Sequence, residues 1–147
     1  MDAVSEVERA MVAIRRLQTR RTLAGPHDPT LTLVVDTLEA AGPCTITDLA
    51  AALSVDQPRA SRLAARAVTE GLAHRTPSQS DARQVLLSLT PAGQAHATTV
   101  HTTRRQIFAQ TMSTWTDEDR TTFATLLSTF VDSYTQVVHE RSTRSKD

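Results

Sequence analysis

The stretch that decides the fold is Asp56-Gln57-Pro58-Arg59-Ala60-Ser61-Arg62-Leu63-Ala64-Ala65-Arg66-Ala67. Asp56 is an N-cap residue, and Gln57-Pro58 opens a helix, since proline at the first turn loses no hydrogen bond. Ala60, Leu63, Ala64 and Ala67 recur at helical spacing and form an apolar stripe. Gln57, Arg59, Ser61, Arg62 and Arg66 fall off that stripe, so the opposite face consists of hydrogen-bonding and cationic groups. Such a face suits the major groove of double-stranded DNA, where arginine pairs with guanine and glutamine with adenine. Ser61 and the amides of the helix N-terminus suit phosphate oxygens. The plain alternative is a solvated arginine-rich surface.

Reading outward from this helix, Ser54-Val55-Asp56 is a turn. The segment before it is a brief helix, Asp48 to Leu53, capped by Thr47. Two helices so closely spaced form a helix-turn-helix. The helix of Arg62 ends at Gly71, and the period then changes. Leu72 to Thr76 and Gln84 to Leu89 read as two strands joined by the turn-rich loop Pro77-Ser78-Gln79-Ser80-Asp81. A hairpin in this place is a wing. Upstream, Asp28 caps a helix that has Pro29 at its first position, runs to about Ala41 and stops at Gly42-Pro43. Leu31, Val34, Val35 and Leu38 line its apolar face, and Cys44-Thr45-Ile46 is a short extended piece.

The ends of the chain carry long amphipathic helices. Residues 3–22 place Val4, Val7, Met11 and Ile14 on one face, with Asp2, Glu6 and Glu8 near the N-terminal end and Arg20 and Arg21 near the C-terminal end, before Gly25-Pro26 breaks the chain. Thr90-Pro91 caps a helix through about Met112. Thr116, with Asp119 three residues on, caps another through about His139, leaving a polar, frayed tail from Arg141. All five aromatic residues (Phe108, Trp115, Phe123, Phe130, Tyr134) lie in this last third. The expected organisation is mainly helical with a small β-wing: a winged helix-turn-helix lobe at 28–91, dimerisation helices at 1–24 and 92–140, and a tail at 141–147. Three long amphipathic helices are hard to cover within so short a chain, which points to a homodimer.

Composition narrows the function. The chain has 147 residues, with 16 Lys+Arg balancing 16 Asp+Glu. Neutrality of the whole conceals a local excess of cations at 57–83, where Arg59, Arg62, Arg66, Arg75 and Arg83 face only Glu70 and Asp81, and distribution matters more than the sum. A single cysteine, Cys44, excludes an internal disulfide and an all-cysteine zinc site. No apolar run reaches the length of a membrane span, and the N-terminus has no signal-peptide pattern, so a cytoplasmic location is expected. No Gly-rich phosphate loop, nucleophile elbow or H-E-x-x-H motif is present, and an enzyme is not expected. Neither a cofactor nor a metal site is read. The histidines His27, His74, His96, His101 and His139 include no i, i+4 pair, and His96 and His101 are five apart.

The chain resembles the MarR family of bacterial winged-helix regulators. The resemblance rests on Asp48-Leu49-Ala50 through Ser61-Arg62-Leu63, on Glu70-Gly71-Leu72, and on Asp81-Ala82-Arg83 running into Leu86-Leu87-Ser88-Leu89-Thr90-Pro91-Ala92-Gly93. It implies a homodimer built on the terminal helices. It also implies repression or activation of nearby genes, with a repressor that binds a pseudo-palindromic operator and is released by a small effector as the expected case. In that family the arginine of the D-x-R motif reaches the minor groove while the aspartate steadies the wing, roles that would fall to Arg83 and Asp81. An effector pocket for small anionic aromatic compounds is implied as well, for which Arg15 or Arg16 would hold a carboxylate. Peroxide-sensing members place their cysteine in the first helix, which has none here, so Cys44 reads as structural. One departure stands out: the loop Pro77 to Ser80 has no cation, which implies few phosphate contacts and a shallow salt dependence. That departure keeps open a second reading, a winged-helix protein-interaction module without operator binding.

Overall fold

Side-chain caps start each helix of the lobe. In the computed structural model, which describes residues 1–18 and 28–145, Asp28 accepts hydrogen bonds from the amides of Thr30 (2.9 Å) and Leu31 (3.1 Å) and opens α2, Pro29–Ala41. Asp56 accepts from the Arg59 amide at 2.8 Å and opens α4, Gln57–Thr69. Between them lies α3, Ile46–Leu53, whose cap is Thr45 and not Thr47 as expected. The reason is a reciprocal capping box: the Thr45 hydroxyl accepts from the Asp48 amide (3.1 Å) and the Asp48 carboxylate accepts from the Thr45 amide (3.2 Å). The helix therefore begins two residues early. Ser54 closes α3 in the left-handed region at φ 54°, and its amide donates to Ala50 and Ala51.

The wing is an antiparallel pair, β1 (Ala73–Pro77) and β2 (Val85–Leu89), running in register from Ala73 opposite Leu89 to Pro77 opposite Val85. Pro77, expected in the loop, is the last residue of β1, a strand-end position that tolerates proline. On its other edge β2 is held by Cys44: the Cys44 amide donates to the Leu87 carbonyl (3.1 Å) and the Leu87 amide to the Cys44 carbonyl (2.8 Å). Of the extended piece read at Cys44-Thr45-Ile46, only Cys44 pairs.

These elements enclose one principal core. Leu31, Val34 and Leu38 of α2, Leu49 of α3, Leu63, Ala64 and Ala67 of α4, and Cys44, Ala73 and Leu87 form a single buried cluster. Each fully buried leucine there contributes about 1.5–3 kcal/mol. A second cluster joins Val35, Leu72 and Ala97, with Leu89 packed against it.

Helix α5, Pro91–Thr111, is welded to the end of α4 by the Leu-Thr-Pro-x-Gly run. The Thr90 amide donates to the Leu72 carbonyl at 3.1 Å, the Thr90 hydroxyl donates to the Gly71 carbonyl, and the Gly93 amide donates to that hydroxyl at 3.0 Å. A Cβ on Gly93 would lie 2.0 Å from the Leu72 oxygen, so only glycine fits. The first three turns of α5 bury His96, Ala97 and Val100 against the lobe. Polar side chains of α2 meet it there. Thr32 bonds His96 (3.3 Å), Asp36 takes Arg104 through both carboxylate oxygens (2.8 and 3.2 Å), and Glu39 holds His101 and Gln94.

Two compact units divide the chain, Met1–Gln106 and Ile107–Asp147. The first also contains α1, Ala3–Gln18, in which no residue is buried. The sequence reading carried this helix to residue 22. Residues 19–27, with Arg20, Arg21, Gly25, Pro26 and His27, lie outside the described residues. In the second unit α6 runs Asp117–Arg144 from its Thr116 cap. It exceeds the expected end at His139, and the tail read as frayed is helical to Arg144. A Gln136–Glu140 hydrogen bond (3.2 Å) one turn apart and Arg141 and Arg144 at the negative end of the helix favour that extension. Arg120 reaches back to the carbonyls of Met112 (3.0 Å) and Ser113 (3.3 Å), which follow the last turn of α5. Trp115 meets Phe123 edge to face at 5.3 Å. Among the described residues no helix is long and apolar enough to cross a membrane.

Candidate nucleic-acid interface

The apolar stripe of α4 is buried as its spacing requires: Ala60, Leu63, Ala64 and Ala67 are all under a tenth exposed. The remaining face therefore points to solvent, and Gln57, Arg59, Ser61, Arg62 and Arg66 are all exposed. Gln57 donates from Nε2 to the Thr47 hydroxyl at 3.0 Å, which ties the start of α4 to α3. No ion pair engages Arg59 or Arg62 among the described residues. Their guanidinium groups are thus available to an anion.

Arg66 differs from its neighbours. Its Nη2 contacts Asp28 Oδ2, and Glu70 Oε1 lies 3.9 Å away one turn along the helix. Burial pushes the Asp28 carboxyl up. The Arg66 bond and charge and the amides of Leu31 and Thr30 outweigh it and hold the carboxyl below its usual range.

At the wing tip, the Ser78 amide donates to the Gln84 carbonyl (2.9 Å) and the Gln84 amide to the Asp81 carbonyl (3.0 Å), closing the loop. Asp81 Oδ1 accepts from the backbone amide of Arg83 at 3.0 Å. Asp81 thus holds the backbone of the loop, and the Arg83 side chain is exposed. Ser78, which the sequence reading did not single out, is buried. Its hydroxyl bonds that of Ser80 (3.0 Å) and accepts from the Asp81 amide (3.4 Å). The local signal was the Ser-x-Ser-Asp spacing of a side-chain-closed turn. Between the wing and α3 an open groove is lined by Thr45, Ile46, Thr47, Asp48, Gln84 and Val85.

The other candidates lie elsewhere. Arg15 and Arg16 occupy the last turn of α1 as described, and both are exposed. Cys44 is 5% exposed, and burial, followed by the nearby Asp48 charge, pushes its thiol up. It is a protonated, sheltered group, the opposite of the cationic and accessible setting of a reactive cysteine. His96 and His101 bond Thr32 and Glu39, and among the described residues no three His, Cys, Asp or Glu side chains cluster as metal ligands would.

Residues 29–84 match the sequence profile of the MarR family. No curated protein matches the chain by sequence. Among solved structures, the fold is similar to that of a MarR family protein from Bacillus stearothermophilus, with a TM-score of 0.81 at 20% identity, covering 92% of this chain and 99% of that one. It is similar also to wild-type MarR from E. coli in its apo form (TM-score 0.69, 23% identity, 84% and 94% covered). A transcriptional regulator from Thermotoga maritima is a third (TM-score 0.65, 18% identity, 90% and 94% covered).

Proposed function

We propose that this chain, which carries a MarR-family winged-helix domain at residues 29–84, is a sequence-specific DNA-binding transcriptional regulator. The observation that carries the reading is the α4 surface, a helix packed on its apolar stripe that offers Arg59 and Arg62 to solvent with no carboxylate of the described residues engaging either. In this reading α4 enters the major groove. Arg62 and Arg59 read guanine edges or phosphates, Gln57 presents its remaining amide acceptor, and Ser61 meets the backbone. Arg83, extended from a wing tip that Asp81 closes through the backbone, enters the adjacent minor groove, where a narrow A·T-rich tract concentrates negative potential.

The regulator acts as a homodimer on a pseudo-palindromic operator. The exposed apolar residues of α1 (Val4, Val7, Ile14, Leu17) and α6 (Phe123, Leu126, Leu127, Tyr134) support that assembly. Repression, with release by a small anionic aromatic effector held by Arg15 or Arg16, completes the reading. Its support is the exposed pair of guanidinium groups at the end of α1. The second reading, a protein-interaction module, is favoured by one observation: Pro77 to Ser80 contribute no cation to the wing.

Gel retardation on the DNA upstream of the chain's own gene, against random duplex and at two salt concentrations, separates the two. A regulator retards the upstream fragment preferentially, and its affinity falls as salt rises. Equal or absent retardation of both fragments overturns the proposal in favour of the interaction module.

A further inference from the structure

We propose that Arg66 is a positioning residue and not a DNA contact: together with Asp28 it forms a strut that fixes the roll of the recognition helix against the start of α2. The inference rests on the DNA-binding reading above and assigns the residue that sequence pattern alone would add to the binding face.

The geometry divides the cations of α4 into two sets. Arg59 and Arg62, in the first half of the helix, are engaged by no carboxylate among the described residues. Arg66, one turn beyond Arg62, contacts Asp28 and has Glu70 at 3.9 Å. A phosphate approaching Arg66 would have to compete with the Asp28 carboxylate already in contact with its guanidinium. The two oxygens of Asp28 are partitioned. Oδ1 caps α2 by accepting from Thr30 and Leu31, while Oδ2 holds Arg66. The depressed carboxyl of Asp28 agrees with that double engagement.

The strut has a counterpart at the other end of the helix. Gln57 anchors the first turn of α4 to Thr47 of α3, and Arg66 anchors the third turn to α2. The helix itself rests on Ala60, Leu63, Ala64 and Ala67, three of them alanines, a smooth surface that resists rolling poorly. Two polar ties at opposite ends then decide which way Arg59 and Arg62 point. Loss of the Arg66 tie would spread those side chains over several directions and degrade sequence choice more than overall attraction to DNA.

The test uses the full-length protein with its retarded upstream fragment and a random duplex, titrated with salt. Asp28→Asn keeps a good N-cap on α2 and removes only the charge that Arg66 needs. Arg66→Met keeps the aliphatic stem. Each should weaken binding to the specific fragment about two- to fivefold, the range of a solvent-accessible ion pair. Each should narrow the specific-to-random ratio and leave the slope of log affinity against log salt unchanged. The double variant should be no weaker than either single one, and Arg66→Lys should recover part of the loss. Arg62→Ala is the contrast, expected to change the slope by about one if it meets a phosphate. The strut is overturned if Arg66→Met reduces the slope by about one while Asp28→Asn tightens binding, since Asp28 would then be a competitor for a phosphate-binding arginine. If the unaltered protein fails to prefer its upstream fragment, the DNA-binding reading itself falls and takes the strut's role with it.

Discussion

The lobe and the terminal helices solve the problem of apolar surface in opposite ways. Between Leu31 and Val100 the chain buries sixteen apolar residues, drawn from three helices, a hairpin, the start of a fourth helix and the links at Cys44 and Leu72. Helix α1 (16 residues) and helix α6 (28 residues) bury none, although Phe123, Leu127, Phe130, Tyr134 and Val137 follow one another at alternating steps of four and three. Regular apolar spacing on a long helix is the pattern of a seam that meets another helix. The lobe is therefore a self-sufficient core, whereas the terminal helices present surface that a second copy would cover. The difference teaches that amphipathic spacing marks the face to be buried and is silent on which chain buries it.

The comparison can be broken most forcefully at α6. Replacing Leu127 and Phe130 together by aspartate should abolish self-association, at a cost of at least about 3 kcal/mol per protomer for the two side chains. Analytical ultracentrifugation would then report a monomer, while the lobe would retain its hydrogen-exchange protection. A variant that remains a dimer would place the seam elsewhere. The reverse experiment strikes the lobe. Gly93→Ala drives a methyl group into the Leu72 carbonyl and should destabilise the lobe by about 3 kcal/mol, the upper end of overpacking costs, as read by urea denaturation.

Smaller effects sharpen the lobe's own division between scaffold and surface. Arg83→Ala should weaken operator binding by about 1–2 kcal/mol, the scale of a single groove contact, with little change in melting temperature. Asp81→Ala removes a negative charge near DNA, so simple attraction expects tighter binding. The Asp81 bond to the Arg83 amide expects weaker binding, and fluorescence anisotropy at fixed salt gives the sign. The smallest effect concerns Asp28. Its folded carboxyl lies below the ordinary value of 3.8, so its contribution is complete above that value and is lost as pH falls through the depressed one. Asp28→Asn should lower thermal stability at neutral pH by less than about 1 kcal/mol, and the gap from the unaltered protein should close below pH 3.8.

Much of the lobe was legible because its punctuation is local. Asp28-Pro29, Asp56-Gln57-Pro58, Gly71 and Thr90-Pro91 each act within a few residues, and the helices and hairpin fall where those signals put them, to within two residues. Thr45 was missed because Thr47 is an equally good cap in isolation, and only the reciprocal bond to Asp48 selects between them. The candidate DNA-facing side chains were legible for the same reason as the stripe they avoid. What spacing does not encode is pairing at long range. Arg66 finds Asp28 across 38 residues, and Arg104 finds Asp36 across 68. His101, which looked like half of a poor metal clip, is matched to Glu39 across 62. The resemblance supplied Gly93 as part of a motif; the reason for it, a backbone oxygen 2.0 Å from where a side chain would begin, exists only in three dimensions.

Cys44 turns the lobe into its own reporter. It is the sole thiol in the chain, it is buried, and its backbone is clamped to β2 through both hydrogen bonds to Leu87. An alkylating reagent in solution reaches the sulfur only when that clamp opens, so the labelling rate under native conditions measures the opening equilibrium of the lobe without any engineered probe. Helices α1 and α6 carry no cysteine and stay silent in such an assay. Slower alkylation on adding a duplex would register occupancy of the lobe, and the amount of slowing would give the affinity by mass action.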